Sequence, residues 1–129
     1  MADAKRFRVA LLGRFCKGNC EPDAVQAQKD KLRAEAQRRD YEVVDEFWEE
    51  GVAPDASLDE RDEMVRLMRA VWSRELVVDG IFFAELSDLG WNSRREQVTM
   101  TMFFEQNDLA IITYETTYHP DDWAVAYSF

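Results

Sequence analysis

Residues Phe7 to Gly13 (FRVALLG) form an almost unbroken apolar run that ends in glycine. A strand with one wet face alternates polar and apolar residues, so an unbroken run calls for cover on both faces, as in a parallel sheet held between helices. Three further runs are rich in the β-branched and aromatic residues of strands: Tyr41 to Trp48 (YEVVDEFW), Val77 to Leu86 (VVDGIFFAEL) and Leu109 to Tyr114 (LAIITY).

Helical patterns fill the gaps. Pro22 and Asp23 open a helix that places Val25, Leu32 and Ala36 along one side and ends near Asp40. Ser57 and Glu60 have the spacing of a capping box, with Met64, Leu67, Met68 and Val71 recurring behind them. Ser93 and Glu96 begin another helix, running to about Gln106 and expected to turn Val98 and Met102 inward. Alternating strands and helices predict an α/β fold, a three-layer α/β/α sandwich around a mostly parallel sheet of four to five strands. The expected single domain spans residues 1–129, with its core in 7–115 and a tail in 116–129. That tail carries an apparent turn at His119 to Asp122 and then an apolar run (WAVAYSF), suited to an edge strand or to docking on a partner.

Charge narrows the function. Twenty-six acidic residues against sixteen basic ones give a net charge of −10, which opposes unaided binding to nucleic-acid phosphates. A protein partner fits that charge better than DNA. No apolar run approaches the roughly 20 residues that cross a bilayer, and Met1 to Lys5 are too polar to begin a signal peptide. The expected compartment is the cytoplasm, with Cys16 and Cys20 as reduced thiols rather than a disulfide framework.

The loop from Arg14 to Glu21 lies beyond the first strand's carboxyl end, where sites in open α/β sheets tend to sit. Cys16 there is either a thiolate activated by Arg14 and Lys17 or an inert, half-buried thiol. Zinc held by Cys16, Cys20 and His119 would need a fourth ligand and an unusual C-x₃-C spacing, so neither metal nor cofactor is expected. Arg94 and Arg95 stand at a helix start, where the macrodipole disfavours cations, and are either an anion or partner site or solvated charge. The acidic run from Glu42 to Glu50, with Asp45, Glu46 and Glu49, is either a mimic of DNA phosphates, a cation site or a solvated face.

Arg14-Phe15-Cys16 resembles the Ala-Arg-Val-Ser junction of the serine recombinases, the family of resolvases, invertases and large serine integrases. Residues 24–52 are similar to that family's first helix and second strand, Ala24 to Gln28 standing at its Ser-Ile-Glu-Ala-Gln helix start. Residues 57–68 resemble the next stretch of the family, and Val77 to Phe83 and Leu109 to Tyr114 fall in its strand order, so the resemblance covers roughly residues 7–115. A receiver-like domain shares the sheet order but wants acidic residues after the first strand and an aspartate ending the third, where this chain has Gly13-Arg14 and Ala84.

The resemblance implies a serine that attacks a DNA phosphodiester and arginines that stabilise the charge on phosphate. Here the nucleophile position holds Cys16, Arg14 matches the first arginine, and Gln28 matches the glutamine of the first helix. The family's Asp-Arg-Leu-Ser-Arg corresponds to Ala84-Glu85-Leu86-Ser87-Asp88, so both arginines are replaced by carboxylates. The arginine of a Leu-Asp-Arg stretch falls on Glu60, or on Arg61 if the register slips, and Leu12 stands where many members have tyrosine. The chain also stops where the family continues into a dimerisation helix and a DNA-binding region. These replacements lead to an expectation of no DNA cleavage and no direct DNA binding. The domain is expected to bind protein, a recombinase or a second copy of itself, in the setting of DNA recombination or a mobile element. The alternative is an enzyme with a remodelled pocket, with Cys16 as nucleophile and Arg14 as anion binder.

Overall fold

A computed structural model of the chain describes residues 6–15, 21–51, 56–89 and 93–119. Its five strands are β1 (Arg8–Phe15), β2 (Glu42–Glu50), β3 (Gly80–Phe82), β4 (Ala110–Ile112) and β5 (Thr117–Tyr118), ordered β2-β1-β3-β4-β5 in one sheet. The first four are parallel and β5 is antiparallel to β4. Three α-helices, α1 (Pro22–Arg38), α2 (Asp62–Trp72) and α3 (Arg94–Gln106), supply the crossovers.

Alternation along the strands sorts the core into two layers. Val9, Leu11, Phe82, Ala110 and Ile112 face α1, meeting Leu32 and Ala36. Ala10, Leu12, Phe47, Ile81 and Ile111 face the other way, against Met64 and Leu67 of α2 and Met100, Phe103 and Phe104 of α3. Gly13 lies opposite Trp48 across the β1–β2 pair. A Cβ at Gly13 would sit 2.2 Å from Phe15 Cζ and 2.7 Å from Trp48 Cε3, so the Phe15 and Trp48 rings, tilted against each other, occupy the space a side chain would need.

β2 is an edge strand, and its side chains are divided between the layers. Phe47 and Glu49 are buried in the α2 layer, while Glu46 and Trp48 meet Arg33 of α1. Arg66 of α2 reaches the edge and donates to the Glu46 carbonyl at 3.1 Å.

Three local expectations are corrected. The third strand is Gly80–Phe82, shorter than the apolar run 77–86. Val77 is 59% exposed, and Asp79 bonds to the backbone of Arg8 on both its side-chain and main-chain atoms before pairing begins. The Ser57–Glu60 capping box forms, but it opens a single 3₁₀ turn, Leu58–Glu60, and α2 starts only after Arg61, whose φ of −101° and ψ of 86° break the helix. In α3, Val98 and Met102 are 39% and 45% exposed, while Met100, Phe103 and Phe104 turn inward. Both stripes have helical spacing; the one carrying two phenylalanines has more apolar area to bury and wins. An edge strand does close the sheet, but it is Thr117–Tyr118, ahead of the expected turn; residues 123–129 lie outside the described residues.

Candidate functional site

The carboxyl ends of β1, β3 and β4 open onto a cleft of about 430 Å³ whose polar lining comes from Arg14, Gln28, Lys31, Glu85, Asp88 and Tyr114. Arg14 is the penultimate residue of β1 and pairs in register with Glu49 of β2. It is only 7% exposed. Burial, and next the charge of Arg61, hold its pKa below the ordinary arginine range, against the opposing pull of Glu49, Asp88 and Glu96.

Arg61 lies at the base of this group and is fully enclosed, with 1% exposure. Its Nε donates to both oxygens of Glu49, at 3.1 and 3.0 Å, and Nη2 donates to Glu49 as well. Nη1 donates to the Leu89 carbonyl at 2.8 Å and Nη2 to the Asp88 carbonyl at 2.6 Å. The guanidinium therefore ties the end of β2 to the 3₁₀ turn Leu86–Leu89, and its donors are turned toward protein. Glu60, the other candidate for that position, is exposed and bonded back to Ser57.

Asp88 is 5% exposed and its carboxylate accepts from the Glu85 N–H at 3.4 Å, while the Glu85 side chain is exposed at the cleft. Two carboxylates thus share the lining with Arg14 and Lys31. Lys31 Nζ sits 5.1 Å from the centre of the Tyr114 ring, and burial pushes the Tyr114 hydroxyl above its ordinary pKa. Of the residues singled out from sequence, Arg14 and Gln28 come together here; Cys16 and Cys20 lie outside the described residues.

Sequence reasoning missed the buried Glu49–Arg61 pair, Lys31 and Tyr114. Lys31 had a signal, since it stands one helical turn from Gln28 on α1. Of the zinc trio, only His119 falls among the described residues. His119 lies against Phe7, their ring centres 6.3 Å apart, and Phe7 and Phe15 are separated by β1, about 26 Å at the usual rise per residue. His119 therefore lies at the end of β1 opposite Phe15. The acidic run from Glu42 to Glu50 is no free row of charge either: Glu42 pairs with Arg8, Asp45 with Arg66, Glu46 with Arg33, Glu49 with Arg61 and Glu50 with Lys29. Arg94 and Arg95 are exposed on the first turn of α3. Among the described residues, no group of three or more His, Cys, Asp or Glu side chains is placed to hold a metal, and no helix is long and apolar enough to cross a membrane.

Residues 10–124 match the family model described as "Resolvase, N terminal domain". The chain belongs to the resolvase family. Solved structures agree on the fold. The N-terminal catalytic domain of TP901-1 integrase is 20% identical, with a TM-score of 0.72, over 94% of this chain and 92% of that one. A resolvase family site-specific recombinase from Streptococcus pneumoniae is 19% identical, with a TM-score of 0.74, over 95% and 82%. The C-terminal catalytic domain of ISC1926 TnpA, an IS607-like serine recombinase, is 17% identical, with a TM-score of 0.65, over 83% and 69%. No curated protein matches the chain. In this resolvase-family domain, then, the cleft stands at the carboxyl ends of the parallel strands, with Glu85 and Asp88 in its wall and Arg61 closed off beneath it.

Proposed function

We propose that this resolvase-family domain does not cleave or exchange DNA strands and acts as a protein-binding module of recombination, working in the cytoplasm without cofactor or metal. The observation that carries the reading is the lining of the cleft. A phosphodiester entering beside Arg14 and Lys31 would also meet Glu85 and Asp88, and the nearby guanidinium of Arg61 is already spent on Glu49 and two carbonyls. Phosphoryl transfer relies on donors aimed at developing negative charge, and carboxylates in the same wall oppose both binding and the transition state. The net charge of −10 adds a long-range penalty against DNA.

The test is a tagged pull-down from the native host with the unaltered chain and with an Arg14→Ala, Cys16→Ser double variant. The same protein recovered specifically by both supports a binding module whose interface lies away from the cleft. Recovery that depends on Arg14 and Cys16, or none at all, overturns it.

The retained cleft, with Arg14 and Gln28 in its lining, favours a second reading, an enzyme using Cys16 as nucleophile and Arg14 as anion binder. That reading requires Cys16 to be alkylated well below the ordinary thiol pKa of about 8.5. Ordinary alkylation kinetics would remove it.

A further inference from the structure

α3 has two apolar stripes, and the one left out of the core is arranged symmetrically. Arg95, Val98, Met102 and Glu105 recur at helical spacing on its outward face, with Arg94 and Gln106 just beyond them. Val98 and Met102 are 39% and 45% exposed, and Trp72 at the end of α2 is 66% exposed, its ring edge-on to Phe103 of α3. Open tryptophan and methionine on neighbouring helices mark a surface suited to being covered. The hydroxyl in this stretch does not oppose cover: Thr99 Oγ1 donates to the Arg95 carbonyl at 2.8 Å, so burying it strands no donor.

The ends of the stripe carry the wrong charges for their own helix. Arg94 and Arg95 outnumber Glu96 in the first turn, where the macrodipole favours carboxylates. Glu105 stands in the last turn, which has no basic residue and where the macrodipole favours cations. About Met100 the pattern is mirrored: Val98 and Met102 lie two residues to either side, Arg95 and Glu105 five, Arg94 and Gln106 six.

A helix patterned in this way fits its own copy laid antiparallel, with the two copies level at Met100. Val98 of each copy then meets Met102 of the other, and Glu105 of each reaches Arg94 and Arg95 of the other, in two charged clusters about 15 Å apart at the usual rise per residue. Each carboxylate arrives at the other helix's N-terminus and each arginine pair at the other's C-terminus, so the misplaced charges of both helices are answered at once. A parallel pair would set arginine on arginine.

We propose that the outward face of α3 is a self-complementary interface on which a second copy of this chain packs antiparallel, through Val98, Met102 and the two arginine–Glu105 clusters. The inference deepens the binding-module reading, on which it rests, by naming the partner, and it uses the layer of the sheet away from α1. A single stripe is at the small end of protein interfaces, and each copy carries a net charge of −10, so the dimer is weak, with a Kd on the order of 100 µM at physiological salt.

Sedimentation equilibrium of the full chain under reducing conditions, from about 5 to about 500 µM, tests it. The unaltered chain passes from monomer toward dimer across that range, and the Val98→Lys, Met102→Lys variant stays monomeric. Two charge-reversed chains, one with Arg94→Glu and Arg95→Glu and one with Glu105→Arg, set like charges against each other at both ends, and each self-associates roughly tenfold more weakly than the parent. Mixed in equal amounts they form a heterodimer about as tight as the parent dimer, because opposite charges meet again at both ends; damage to folding would not give that recovery. A parent chain monomeric at every concentration, a dimer that survives the two lysines, or charge-reversed chains that do not recover on mixing overturn the proposal. Specific recovery of a different protein by a chain that stays monomeric keeps the binding-module reading and removes only this one. Urea midpoints of the variants, compared with the parent chain, identify any that have failed to fold.

Discussion

β2 contributes to two acid–base clusters that use the same chemistry in different surroundings. Glu49 turns inward to Arg61, and both side chains are 1% exposed. Glu46, three residues earlier and therefore on the other face of the strand, pairs with Arg33 of α1, with side chains 29% and 38% exposed. The outer pair shares its surroundings with Lys29, Trp48 and Glu50, and solvent screens it. Water cannot screen the inner pair, so its partners cannot be separated without a large penalty. Residue type is identical in the two clusters; burial decides which holds the site together.

The comparison is sharpest where one inner partner is removed. Arg61→Ala leaves Glu49 charged and enclosed, and takes the donors from the Asp88 and Leu89 carbonyls; a loss of about 3–5 kcal/mol is expected from urea unfolding. A loss under about 1 kcal/mol, the size of an exposed pair, would erase the distinction. Replacing both partners, Arg61→Met with Glu49→Leu, removes the stranded charge but still orphans the two carbonyls. The double variant is expected to lie between, about 1–3 kcal/mol below the parent. If it is no better than Arg61→Ala, the carbonyl bonds and not the ion pair dominate.

Outside, Arg33→Ala is expected to cost about 0.2–1 kcal/mol, and less still in 1 M salt, where the screening length falls to about 3 Å. A cost that salt does not change would place this pair with the inner one. The smallest effect is read against pH. Hydrogen bonds from Arg38 and then Arg39 pull the Glu35 carboxyl down from 4.5 to about 2, and Glu46 and Glu63 are lowered in the same direction by Arg33 and Arg66. A carboxyl depressed in the folded state contributes stability that is present above its unfolded pKa and lost as pH falls through the folded one. For Glu35 that window runs from about 4.5 down to about 2. Urea midpoints should therefore decline across it, and Glu35→Gln should flatten the decline; an equally steep curve would show that these exposed pairs contribute nothing measurable.

The strand-and-helix rhythm was legible because buried parallel strands leave unbroken apolar runs, as in Phe7 to Gly13. The inward faces of α1 and α2 were legible for a related reason: Leu32, Ala36, Met64 and Leu67 lie on single, unrivalled stripes. α3 carried two, and only packing against the sheet could choose Phe103 and Phe104 over Val98 and Met102. Of the cleft, Arg14, Gln28, Glu85 and Asp88 were reachable through the family resemblance. The Glu49–Arg61 pair was not, because it joins a strand to the residue before a helix, and no periodicity reports which charge of an acidic run turns inward. The same run suggested a phosphate mimic only because its basic partners sit on α1, α2 and β1, distant in sequence.

The outer side of β2 has one more consequence. Among the described residues no strand pairs with the outer edge of β2, and nine residues of such an edge are a template on which a second chain can add, the first step toward a fibril. Here Arg66 already occupies the Glu46 carbonyl, and another β2 laid alongside would bring its own Asp45, Glu46 and Glu50 against the same charges. Like charge along this edge works against the addition of a second β2, so the strand that most exposes its backbone is also the one least suited to stack on its own copy.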